Sequence, residues 1–105
     1  MSMEDDNKLA QETADSYKDS VMEAYEKEEL YEYFEDPLDI EFRCDARKRF
    51  RNVAVMLAFG GPNVYVDTKD REVKCYWGGS RGFAWLPSEV CNEIEEYFEE
   101  LWEYL

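Results

Sequence analysis

The chain has 105 residues, with 26 Asp and Glu against 12 Lys and Arg, a formal net charge of −14 and no histidine. That length suits one small domain with a single core and disfavours a deep cleft between domains. The missing histidine removes the usual general base near neutral pH, the commonest metal ligand and every Ser-His or Cys-His nucleophile pair.

Cys44, Cys75 and Cys91 are far apart and form no CxxC. They point to neither a disulfide framework nor a zinc site, and a reducing compartment fits them. No stretch approaches 18 apolar residues. Met1 to Asp6 lacks the basic residues and apolar run of a secretory signal. A soluble, unexported protein of a reducing cytoplasm is expected, with no membrane contact.

Residues 1–8 offer little to bury and are expected to fray. Residues 9–36 read as an acidic helical segment: Leu9, Tyr17, Val21 and Tyr25 share one side, Ala10, Ala14 and Ala24 favour helix, and Pro37 ends it. From 38 to 86 the period changes to two. Ile40, Phe42 and Cys44 alternate with Glu41, Arg43 and Asp45, and Val53, Val55, Leu57 and Phe59 form the expected central strand. Turn residues at Gly60-Gly61-Pro62-Asn63 and Thr68-Lys69-Asp70-Arg71 bracket Val64–Val66. Val73–Trp77 makes a further strand, Gly78–Gly82 a loop, and Phe83–Leu86 an edge strand. Short connections imply antiparallel hairpins.

Residues 88–105 form the acidic C-terminal helix, because Val90, Ile94, Phe98, Leu101 and Leu105 recur at helical spacing. Ser88 is the expected cap, and Glu89 meets the positive end of the helix dipole. The whole, 1–105, is one domain of α+β class. A small antiparallel sheet of three to five strands is flanked by acidic N-terminal and C-terminal helices that cover one of its faces.

Charge is sorted along the chain. Residues 1–36 hold 13 acids and 3 bases, residues 37–87 hold 6 acids and 9 bases, and residues 88–105 hold 7 acids and no base. Glu89, Glu93, Glu96, Glu100 and Glu103 line one edge of the last helix, opposite its apolar stripe, over about 21 Å at a rise of about 1.5 Å per residue. Their spacing of about 5 Å approaches the roughly 3.4 Å between charges along a DNA strand. A second run, Glu28, Glu29, Glu32, Glu35 and Asp36, surrounds Tyr31 and Tyr33, the expected aromatic anchors. Most charge runs are solvated faces. Here the absence of compensating Lys, the segregation and the interleaved aromatics favour a binding surface for a basic partner.

Other features carry less. Arg43, Arg47, Lys48, Arg49 and Arg51 are expected to pair with the protein's own acids rather than with phosphate, given the acidic flanks. The glycine clusters lack the Lys-Ser or Lys-Thr of a phosphate loop. The cysteines read as small core residues. No calcium-loop spacing occurs, so no catalytic residue, metal or cofactor is assigned.

In size and in the charge of Glu26–Asp36 and Glu89–Glu103, the chain resembles the anti-CRISPR and anti-restriction DNA mimics of phages and mobile elements. Gly60-Gly61-Pro62-Asn63-Val64-Tyr65-Val66-Asp67-Thr68 is similar to segments of small proteins from gut bacteria and their mobile elements. The resemblance implies stoichiometric, non-enzymatic inhibition. Carboxylates would take the places of phosphates in the nucleic-acid channel of a CRISPR effector or restriction enzyme. The alternatives are an immunity protein or antitoxin against a basic nuclease toxin, and a small acidic housekeeping domain.

Overall fold

Alanine spacing, more than the large apolar residues, sets how the first helix lies. The computed structural model describes residues 3–105, with side chains from Asp6 onward. Helix α1 (Met3–Glu26) buries Ala10, Ala14, Val21 and Ala24 along one stripe. Leu9, expected on that stripe, is exposed, while Tyr17 and Tyr25 pack at its border. Of residues 1–8, expected to fray, 3–8 belong to α1 and 1–2 lie outside the described residues; Asn7 accepts the Arg81 N–H at 3.3 Å.

The acidic N-terminal segment is two helices, not one ending at Pro37. α1 stops at a reversed turn in which the Glu28 N–H donates to the Tyr25 carbonyl and the Glu29 N–H to the Ala24 carbonyl at 2.7 Å. This pair of bonds closes a helix on a left-handed residue. Here that residue is Glu28, at φ 58°. The one-turn helix α2 (Leu30–Tyr33) then tucks Leu30 and Phe34 into the core.

Five strands follow in an antiparallel meander, ordered as in the chain: β1 (Asp39–Cys44), β2 (Phe50–Ala58), β3 (Asn63–Asp67), β4 (Glu72–Trp77) and β5 (Ser80–Trp85). The middle strand is β3; β2, expected to be central, is second and the longest. Both register shifts put an extra residue on β2, at Leu57 and at Arg51. The first reverses the alternation of β2, so Phe59 is exposed instead of following Leu57 inward, whereas Cys44, opposite Phe50 where β1 ends, is exposed beside Trp102. The last hairpin turns on Gly78-Gly79 alone, with Gly78 at φ 60°, so β5 begins at Ser80.

Val53, Val55, Val64, Val66, Val73, Cys75 and Ala84 form the inner sheet face and are almost fully buried. α1 crosses β4 and β5. It approaches so closely that a Cβ at Gly82 would overlap the Ala10 carbonyl. The Gln11 amide clasps the outer edge of β5: its Nε2 donates to the Phe83 carbonyl at 2.7 Å and its Oε1 accepts the Phe83 N–H at 3.1 Å. Helix α3 (Ser88–Glu103) lies over β2 and buries Val90, Cys91, Ile94 and Phe98. Pro87, in extended conformation, holds its N-cap position, so Ser88 is the first helical residue and caps nothing. Phe34, Phe42, Phe98 and Trp102 pack edge-on or tilted where α2, β1 and α3 meet.

Candidate acidic interface

The two acidic segments, distant in sequence, lie side by side. Tyr31 of α2 stacks on Tyr97 of α3, with ring centroids 4.8 Å apart and planes inclined by 27°. Together with Glu32 and Glu35 these rings line a shallow groove of about 260 Å³. Tyr97 records the field of its surroundings. Burial pushes its phenol above the ordinary value, and the charges of Glu35 and Asp36, followed by Tyr31, push the same way.

Along α3 the row stands as its spacing predicts. Glu89, Glu96, Glu100 and Glu103 are exposed and Glu93 is half-buried, while the opposite stripe lies on the sheet. The stripe itself is shorter than expected, because Leu101 and Leu105 are exposed. Glu28, Glu29, Glu32, Glu35 and Asp36 are all exposed. Glu28 and Glu29 stand at the α1–α2 turn, at the start of α2, while Glu35 and Asp36 follow its end beside Tyr97. Tyr31 is exposed, whereas Tyr33 packs against the core edge-on to Phe34. Burial, then Tyr17, raises its phenol pKa. Tyr31 is the accessible ring of the two.

None of these ten carboxylates is in an ion pair among the described residues. The acids that are paired are Glu23, Glu41, Asp45, Asp67 and Asp70. The basic cluster divides accordingly. Arg43 pairs with Asp67 and more loosely with Glu41, while Arg49 and Arg51 pair with Asp45. Those acids belong to β1, β3 and the β1–β2 turn, not to the helices. Lys48 and Arg49 also flank a cleft of about 790 Å³ beside Glu99 and Glu103 at the end of α3, where the Trp102 indole donates to the Lys48 carbonyl at 3.0 Å.

Sequence reasoning missed Tyr97, the ring that joins the two rows. Its signal was an aromatic residue four positions from Glu93 and one from Glu96, on the border between the acidic row and the apolar stripe. Glu95 is a different kind of acid. It is half-buried, and desolvation raises its pKa, with Thr68 hydrogen bonding opposing and Glu99 adding to the rise. It stands outside the row.

No group of three or more His, Cys, Asp or Glu among the described residues is arranged to hold a metal ion. Cys75 and Cys91 are buried, and burial pushes the Cys91 thiol up to about 11, so neither is arranged as a nucleophile. Among the described residues no helix is long and apolar enough to cross a membrane. No family model matches the chain, and it finds no significant match among curated proteins or solved structures.

Proposed function

We propose that the protein is a non-enzymatic inhibitor that occupies the cationic nucleic-acid channel of a bacterial defence effector, a CRISPR nuclease or restriction enzyme, in the cytoplasm of the host cell. One observation carries this reading: the Tyr31–Tyr97 stack joins the α2 segment to α3, two segments bearing ten carboxylates that are in no ion pair among the described residues. The effector's Lys and Arg would meet these carboxylates as they meet phosphates, with Tyr31 as the anchor among them. Holding so many like charges together opposes folding, and Glu28 adds the cost of a left-handed backbone that glycine would adopt freely. A surface selected for solubility alone needs neither.

The test is competition with nucleic acid. Purified CRISPR nucleases, restriction enzymes and basic nuclease toxins are titrated with the protein, and substrate binding and cleavage are followed at about 50 and 300 mM salt. Inhibition at a one-to-one ratio that weakens at the higher salt is expected. The variant with Glu89, Glu93, Glu96, Glu100 and Glu103 all changed to Gln should bind at least about tenfold more weakly. Inhibition restricted to nuclease toxins would make the protein an immunity protein. Equal binding by the wild type and the variant would remove α3 from the mechanism.

A further inference from the structure

The sheet face turned away from the helices has a charge pattern of its own. Register places Asp39, Met56, Tyr65, Lys74 and Phe83 in one row across the five strands, and Glu41, Ala54, Asp67, Glu72 and Trp85 in the next. The β4–β5 side is aromatic. Tyr76 meets Tyr65 and Phe83 edge-on at 6.1 Å each, and Phe83 and Trp85 are 40% and 58% exposed. The Arg71 guanidinium lies 5.9 Å from the centre of the Trp85 ring, and Arg81 neighbours Tyr76 across the strands. Neither arginine is in an ion pair among the described residues. The opposite border, β1, presents exposed Asp39 and Glu41. In the centre, Arg43, Lys74 and Asp67 satisfy one another.

An anionic border on β1, a cationic border made by Arg81 of β5 and by Arg71 of the β3–β4 turn beside it, and β3 between them make a face that complements itself. When two sheets are laid face to face about a two-fold axis parallel to β3, β1 of each copy lies over β5 of the other. Asp39 and Glu41 then face the rows of the second copy's Phe83 and Trp85, diagonally beside its Arg81 and Arg71, and the exposed rings gain apolar cover from its neighbouring Met56 and Ala54. We propose that this face joins two copies of the chain in a back-to-back dimer. The inference stands independently of the proposed function.

Size and charge agree with a weak pair. Strands about 4.8 Å apart and residues about 3.3 Å long give a face roughly 20 Å square, about 800 Å² buried over both copies, which is below the roughly 1,200 Å² of stable interfaces and in the range of weak, transient pairs, so dissociation in the range of about 10–100 μM is expected. The arrangement also places the two acidic helical layers outermost. They are separated by both sheets, roughly 30 Å, which is about three screening lengths at 0.1 M salt. Turning either copy over would bring a helical layer inward.

Sedimentation equilibrium of the full chain from about 5 to 500 μM tests this. The expected result is a shift from the 12.5 kDa monomer to twice that mass. Phe83→Ala with Trp85→Ala should weaken the dimer at least tenfold, and circular dichroism checks that the fold is kept. Asp39→Lys and Arg81→Asp should each weaken it, and the two together should restore it. Mass that stays monomeric throughout, a dimer indifferent to Phe83 and Trp85, or charge swaps that do not rescue each other would overturn the proposal. So would a monomer whose Trp fluorescence is quenched by a single-stranded oligonucleotide only when Trp85 is present, which would give the face to nucleic acid.

Discussion

Asp67 is the best-connected acid in the protein. It is 4% exposed, accepts two bonds from Arg43 at 2.9 and 3.0 Å and one from Lys74 at 3.2 Å, and receives the N–H groups of Lys69 and Asp70. Burial pushes its carboxyl up, but the Arg43 bonds, the Asp70 N–H and Lys74 outweigh burial and bring it from the ordinary 3.8 down to about 2. Between those values the unfolded chain binds the extra proton. The carboxylate's stabilisation is therefore complete above about pH 4 and is lost as pH falls through about 2. Asp67→Asn should cost about 2–4 kcal/mol at pH 7 by urea unfolding, because Arg43 and Lys74 lose their shared counter-charge. That difference should shrink below pH 4. Glu28 works in the opposite sense, since at φ 58° it holds a place that suits glycine. Glu28→Gly should stabilise the fold by about 0.5–1 kcal/mol, a rise in melting temperature of roughly 2–8 °C, while removing one carboxylate from the proposed interface.

At the level of elements, the meander was legible because alternation and short turns dictate it, and α3 because its apolar stripe repeats at three and four residues. Departures fell where one residue changed the phase. The β2 bulge at Leu57 turned Phe59 outward, and no single-strand pattern signals a bulge. The α1–α2 break was hidden because Glu28, rather than glycine or proline, makes the turn. The helix-to-sheet seam was hidden for another reason: it is built from the smallest residues. Gly82 faces Ala10 so closely that any side chain meets helix backbone, which cannot step aside as a flexible side chain would. Gly82→Ala should displace α1 and cost about 2–4 kcal/mol, well beyond the usual effect of adding one methyl in a strand. Chemical denaturation measures the loss, and faster amide exchange in α1 locates it.

Across the whole molecule, charge and fold divide the work between opposite layers. Both acidic rows and their sequence order were readable from residue types alone, since carboxylates without neighbouring Lys or Arg are visible in any window. Their meeting was not readable. It depends on α2 reversing direction and setting Tyr31 against Tyr97, a tertiary event with no local signature. Mutual repulsion across this layer should appear as salt-dependent stability: the melting temperature should rise by several degrees between about 10 and 500 mM NaCl. Changing the five α3 glutamates to Gln should raise the melting temperature in dilute buffer and flatten that salt response. A melting temperature independent of salt in the wild type would mean that the acids repel one another too weakly to matter for folding.

The Gln11 clasp has a further consequence for how copies of this chain can add strands to one another. With Gln11 bonded to both main-chain groups of Phe83 and Asn7 bonded to Arg81, the side of β5 that could template a sixth strand is already occupied by a helix from the same molecule. Among the described residues, β1 is the other edge of the sheet. A sheet with one such side can join a second sheet border to border and then stops, so no single sheet built from this chain grows past two copies.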